Sequence, residues 1–193
     1  MIVPFEKVRR QIGKGGDNLM PVFLSQKQLH SFGRELDTFR SGHFKRKYLE
    51  YLRPFAGVRP LFERLMADGI SIALASSAKP DELKVYKKIA QIEDLLDAEI
   101  SSEDAEKSKP APDIFHAALR QLPGIAKNRI VVVGDAPYDA EAAEKAGLRS
   151  IGLLCGGFPA GSLTRGGCSA VYRSPSNLLV NYASIFVAPK DGR

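Results

Sequence analysis

Apolar residues follow one rhythm in the first fifty positions and another afterwards. Up to Tyr51 only helical spacing occurs. Phe5, Val8 and Ile12 recur at helical intervals, and Gly13-Lys14-Gly15-Gly16 then breaks the run. Asp17 is placed to cap a short helix carrying Leu19, Met20, Phe23 and Leu24. Ser25 is placed to cap a longer one carrying Leu29, Phe32, Leu36 and Phe39 and reaching Tyr48 and Leu49. Gly33 and Ser41-Gly42 weaken that helix and predict a bend in it.

Beyond Arg53-Pro54-Phe55-Ala56-Gly57 short apolar runs enter. Val58 to Ala67 is amphipathic and closes at Asp68-Gly69, and Ile70 to Ala75 then reads as a strand buried on both faces. A helix starts at Pro80 with Leu83, Tyr86 and Ile89 inward, and Ala98-Glu99-Ile100 is a short strand. Pro112 to Leu122 is helical, Ile130 to Val133 is a buried strand, and Pro137 to Ala146 is a helix ended by Gly147. Ser150 to Leu154 and Ala170 to Tyr172 are the last two strands. Strands alternating with helices predict right-handed crossovers and an α/β fold of Rossmann type, its parallel sheet covered on both faces.

Composition excludes several classes. The 193 residues suffice for one sizeable domain, or for a core with a small accessory domain, and 44% hydrophobic with 26% charged residues is ordinary for a globular chain. No apolar run approaches the roughly 20 residues of a membrane span. Met1 to Glu6 lacks the charged head and apolar centre of a signal peptide, so a cytoplasmic protein without a membrane partner is expected. Cys155 and Cys168 have no zinc-like spacing and read as reduced thiols. A net charge of +6 suits an anionic ligand. The basic residues are scattered, apart from Lys45-Arg46-Lys47 and Lys87-Lys88, and no aromatics interleave them, so no nucleic-acid partner is expected.

In parallel sheets ligands bind beyond the carboxyl ends of the strands. Three clusters lie there. Ser76-Ser77 follows the strand ending at Ala75; a hydroxyl with neighbouring N–H groups holds an anionic oxygen, though serine is also an ordinary helix cap. In Lys107-Ser108-Lys109-Pro110-Ala111-Pro112-Asp113, the two prolines stiffen the loop that projects Lys109, either towards an anion or into solvent. In Val133-Gly134-Asp135-Ala136-Pro137-Tyr138-Asp139, a buried strand delivers one carboxylate and a second follows a turn later. Such a pair suits magnesium. A capping role for Asp135 is the rival reading, but it leaves Asp139 unexplained.

In this order the clusters resemble motifs two, three and four of the haloacid dehalogenase superfamily, in the branch of phosphoglycolate phosphatases and β-phosphoglucomutases. Leu74-Ala75-Ser76-Ser77, Ser108 to Phe115 and Val133-Gly134-Asp135 carry the likeness, and Pro54 to Val58 resembles the re-entry from a helical cap into the core. The resemblance implies a helical cap over residues 1–52 and a Rossmann-like core over 53–193. It implies a Mg2+-dependent phosphatase acting on a small phosphorylated metabolite. Ser76 would bond the transferring phosphoryl group, Lys109 would offset its charge, Asp135 would bind Mg2+, and Asp139 would support the metal or Lys109. Ala136 stands where relatives often carry Ser or Thr, which loosens the metal site. Ser77, Lys14 and Gly15 would contact substrate, the last two from a loop closing over the site.

The family's attacking carboxylate lies in an Asp-x-Asp-Gly-Thr motif after a first, central strand, and no such motif occurs in these residues. Asp17 has no apolar strand before it and is no substitute. The resemblance places Met1 near the start of the cap, so the motif is expected ahead of it, and its strand between those ending at Ala75 and Val133. Without that strand the two neighbours must pair directly or keep open apolar edges. The 193 residues are therefore expected to bind phosphate and Mg2+ without turnover, as a truncated enzyme or as a non-catalytic binding module. A receiver-type signalling domain also uses strand-end Asp, Ser and Lys, but there the acids come first and the lysine last.

Overall fold

The structure, a computed structural model, describes residues 2–186. Helices α1 (Phe5–Arg9) and α2 (Gly16–Leu19) are single turns on either side of the glycine break. Gly15, not Asp17, is the N-cap of α2, because the Asp17 carboxylate accepts the Ser108 N–H at 3.0 Å instead. Helix α3 (Gln26–Lys47) opens on a capping box in which the Ser25 hydroxyl accepts from Gln28 N and the Gln28 side chain accepts from Ser25 N at 2.9 Å. It passes Gly33 and Gly42 without a break. The predicted bend gives way because Gly33 is buried on this helix, so the missing side chain serves packing.

The remainder runs α4 (Val58–Ala67), β1 (Ala73–Ala75), α5 (Pro80–Ala90), β2 (Ala98–Ile100), α6 (Asp113–Gln121), β3 (Val131–Gly134) and α7 (Pro137–Lys145). Then follow β4 (Arg149–Leu153), α8 (Ala160–Arg165), β5 (Cys168–Tyr172), α9 (Pro175–Val180) and α10 (Ala183–Phe186). β1 is half the length predicted for Ile70 to Ala75. Its ladder ends at Ile72, whose N–H donates to the Asp97 carboxylate at 2.7 Å and whose carbonyl accepts from Asp97 N.

β1 pairs β2 and β3-β4-β5 form a second sheet, every pairing parallel. The two sheets share one pair of cores. On one side Ala73, Ala75, Ala98 and Ile100 meet Ile130 and Val132 under α6 and α7. On the other, Ile72, Val131, Ile151 and Leu153 pack with Leu61 and Leu65 of α4 and Leu178 of α9. Alternate strand residues thus face opposite layers of helices, as a doubly covered sheet requires. Among the described residues β1 and β3 do not pair with each other. Each keeps an unpaired edge, and Val133 within β3 is 41% exposed. Of the two outcomes expected for these strands, open edges are the one observed.

Candidate active site

β3 ends in Gly134, and the absence of a side chain there is what lets the next turn close. A Cβ on Gly134 would lie 2.4 Å from the Asp139 Cβ. The Asp139 carboxylate folds back over the strand end, where Oδ2 accepts from Asp135 N at 3.2 Å and Ala136 N at 3.0 Å. Its other oxygen, Oδ1, accepts from Lys109 Nζ at 2.6 Å. The two side chains of this ion pair are only 12% and 10% exposed. Of the two roles expected for Asp139, metal ligand or partner of Lys109, this arrangement places it as the buried counter-ion.

The loop that carries Lys109 is anchored from several sides. Asn18 Nδ2 donates to the carbonyls of Ser108, at 2.7 Å, and Lys109, at 3.3 Å. Lys145 Nζ donates to Pro110 O at 2.8 Å, and Lys107 N to the Asp113 carboxylate at 3.3 Å. The ammonium group is therefore positioned by the backbone rather than left to swing.

Asp135 has no side-chain hydrogen bond among the described residues. Burial pushes its carboxyl above the ordinary aspartate value, the Asp139 charge adds to this, and the Lys109 ammonium opposes it. Gly156 abuts it closely: a Cβ there would lie 2.6 Å from the Asp135 Cγ. The neighbouring Cys155 thiol is also pushed up, by burial and then by the Asp135 charge. Among the described residues no three His, Cys, Asp or Glu side chains converge. That fits Mg2+ better than a metal needing a full protein cage, since Mg2+ takes one or two carboxylates, keeps several waters and is completed by phosphate oxygens.

At the end of β1, Ser76 N donates to Ile100 O at 3.0 Å and extends the ladder by one bond. The Ser76 hydroxyl oxygen accepts from Ala78 N at 3.1 Å, which leaves its O–H as a donor. Ser77, Gly15, Gly16, Asp17 and Ser108 line one open cleft of about 520 Å³ between the N-terminal helices and the strand ends. Across the same cleft Arg40 and then Lys79 hold the Asp37 carboxyl below its usual value, at 2.8 and 3.6 Å. Lys14 is not in it. Its ammonium donates to Gln11 Oε1 at 2.6 Å and stands 4.7 Å from the centre of the Tyr138 ring.

The structure thus brings Lys109, Asp135 and Asp139 together and sets Ser77 and Gly15 in one adjoining cleft. Ser76 is placed in the β1 loop, and Lys14 on Tyr138. Residues not singled out from the sequence are Asp17 and Asn18, which anchor the Lys109 loop, and Asp37, Tyr138 and Gly156. Their partners are mostly distant in the chain, so local pattern carried no signal for them.

An anion-holding lysine paired with an aspartate beside a second, open aspartate, at the carboxyl ends of parallel strands, defines a phosphate-handling α/β protein of the Rossmann type. The family profile described as "Haloacid dehalogenase-like hydrolase" matches residues 2–153, and the chain belongs to that family. It is 32% identical over 119 residues to the proposed pyrophosphatase PpaX of Caldanaerobacter subterraneus, covering 61% of this chain and 53% of that protein. The chain therefore spans about half the length of that relative. To the Arabidopsis thaliana protein SUPPRESSOR OF QUENCHING 1 it is 30% identical over 148 residues, covering 74% of this chain and 14% of that one. Among solved structures, a hydrolase from Pseudomonas syringae superposes with a TM-score of 0.86 at 24% identity, covering 95% of this chain and 84% of that one. CbbY from Rhodobacter sphaeroides, in complex with phosphate, superposes with a TM-score of 0.67 at 20% identity, covering 92% and 81%. These likenesses confirm the expected fold, a haloacid-dehalogenase-like core with a helical cap.

Proposed function

We propose that the chain carries the phosphate- and metal-binding part of a magnesium-dependent phosphomonoesterase site, with residues 1–52 as cap and 53–193 as core. The substrate class is a small phosphorylated metabolite, met in the cytoplasm without nucleic acid or membrane. The observation that carries this reading is the buried Lys109–Asp139 pair, 2.6 Å long, beside an Asp135 carboxyl with no side-chain partner. Two aspartates in one turn are thereby given different tasks, one neutralising the lysine and the other left open.

In this scheme Lys109 faces its remaining positive potential to the phosphoryl oxygens, and the Ser76 O–H donates to one of them. Asp135 would hold Mg2+, which when bound offsets phosphate charge. Ser77 and Gly15 border the space for the organic part. These residues bind, orient and neutralise. Covalent transfer needs an attacking carboxylate, and the Asp-x-Asp-Gly-Thr pattern that supplies one in the family does not occur in these 193 residues. Binding without turnover is therefore expected of this polypeptide.

The test is calorimetric titration with Mg2+ and inorganic phosphate, together with a hydrolysis assay on para-nitrophenyl phosphate. Asp135→Asn is expected to weaken Mg2+ binding by at least about tenfold. Unchanged Mg2+ affinity in that variant would remove Asp135 as the metal ligand. Magnesium-dependent turnover by the 193 residues, lost in Asp135→Ala, would overturn the binding-only reading. A pH series adds a sign. Because the folded-state pKa of Asp135 is raised, Mg2+ competes with a proton there, and affinity should fall as pH is lowered through that raised value. The same group lets the folded state hold more protons than the unfolded one, so its contribution to stability declines as pH rises from the unfolded aspartate value through the folded one. Mg2+ affinity flat across that window would contradict the assignment.

A further inference from the structure

Tyr138 occupies the first turn of α7, one residue before Asp139 and three after Asp135. Its side chain serves neither core: α7 meets those through Ala140, Ala142, Ala143 and Ala146. Instead it engages the glycine loop after α1. The Tyr138 hydroxyl donates to Arg10 O at 2.5 Å, across 128 residues of chain. The Lys14 ammonium stands over its ring, and Phe158 backs the ring edge-on with centroids 6.4 Å apart. Gly13, at φ 105°, brings the loop backbone so near that a Cβ would lie 2.6 Å from the Ala136 Cβ and 3.4 Å from Tyr138 Cδ2. A second contact lands beside Asp135 from the other side, where Arg9 Nη2 donates to Gly157 O at 2.6 Å, next to the Gly156 that abuts Asp135.

We infer that Tyr138 is a positioning residue that latches the loop of residues 9–16 onto the Asp135–Asp139 turn, coupling loop closure to occupation of that turn. The latch consists of one hydroxyl bond, one cation–π contact and a glycine-permitted close approach. Contacts of this kind are few, directional and partly exposed, so they open at low cost while the core stays folded. Whatever orders the 135–139 turn must then favour the closed loop, and a closed loop must favour that ligand by the same factor. This coupling rests on the proposed function, because the ligands it links to are Mg2+ and phosphate. It gives Lys14 a task that its distance from the cleft lining leaves open: its charge is parked on Tyr138, at the hinge between loop and site.

Amide hydrogen exchange on the full 193-residue chain tests this, in wild type, Tyr138→Phe and Tyr138→Ala, each with and without Mg2+ and inorganic phosphate. Without ligand, Tyr138→Ala is expected to speed exchange of residues 9–16 about tenfold while β4 amides are unchanged. Tyr138→Phe, which keeps the ring, is expected to fall between. With ligand, wild type should gain protection over 9–16 and Tyr138→Ala should not, although calorimetry still detects binding to both. Equal loop exchange in wild type and Tyr138→Ala overturns the latch. A uniform rise that includes β4 overturns it too, since Tyr138 would then be an ordinary stabilising residue. Ligand protection of 9–16 that survives in Tyr138→Ala overturns the coupling. If wild type binds neither Mg2+ nor phosphate, the proposed function and the coupling fall together, and the ligand-free comparison alone still decides whether Tyr138 holds the loop.

Discussion

Lys109→Ala is expected to cost the fold about 3–5 kcal/mol, the range seen when one partner of a buried ion pair is removed. The reason is the state in which it leaves Asp139. That carboxylate is 10% exposed, and its Oδ1 has Lys109 as its charged partner at 2.6 Å. Oδ2 continues to accept from Asp135 N and Ala136 N, so the side chain cannot turn outward without uncapping α7. Desolvation is thus retained while its compensation is lost. Adding Asp139→Asn to Lys109→Ala should recover part of the loss, because a neutral amide needs no counter-ion. Urea denaturation of the single and double variants measures this directly. A cost below about 1 kcal/mol for Lys109→Ala would place the pair among solvated surface bridges, against its burial.

Ile100→Ala should cost about 2–5 kcal/mol by the same measurement, as truncations at fully buried aliphatic positions do. Ile100 is 0% exposed, closes the β1–β2 ladder opposite Ala75, and lies in the cluster shared with α6 and α7. Its effect should reach beyond stability. Its carbonyl accepts the Ser76 N–H and so fixes the start of the Ser76-Ser77 loop. Relaxation of β2 into the cavity should therefore weaken phosphate binding as well, although Ile100 touches no ligand. A stable variant with unaltered phosphate affinity would show that the loop is held by its other bond, Ser102 N to Ala78 O, alone.

The parts of this molecule that were readable in advance are those governed by local rules. Val58–Ala67 and Ala98–Ile100 have the predicted limits, and α7 differs by one residue at its end. Apolar periodicity and the Asp68-Gly69 and Gly147 stops are contained within each segment, so no distant partner was needed. The candidate site was legible as a set of residue types in order, because strand ends and a proline-stiffened loop are local features too. What was not legible is who pairs with whom. Whether Asp139 serves a metal or Lys109 depends on a loop 30 residues away, and Lys14 lies on Tyr138 because of a chain reversal that no spacing records. The short helices α8 and α9 were missed for a different reason. At six residues each they span fewer than two turns, too few for a helical period to show.

β1 presents the sharpest contrast. Six apolar residues predicted a strand, yet only Ala73–Ala75 are paired, since a strand extends only as far as a neighbour offers bonds and β2 offers three residues. The open edges of β1 and β3 follow from the same rule.

The central claim is that Ser76, Lys109 and Asp135 act on one phosphate and one divalent ion. A crystal structure of the 193-residue chain grown with Mg2+ and inorganic phosphate tests it most directly. The account predicts phosphate within hydrogen-bonding distance of Lys109 Nζ and the Ser76 hydroxyl, with the metal on the Asp135 carboxylate and Asp139 still bound to Lys109. Phosphate seated away from Lys109, or a metal on other carboxylates with Asp135 untouched, would contradict it.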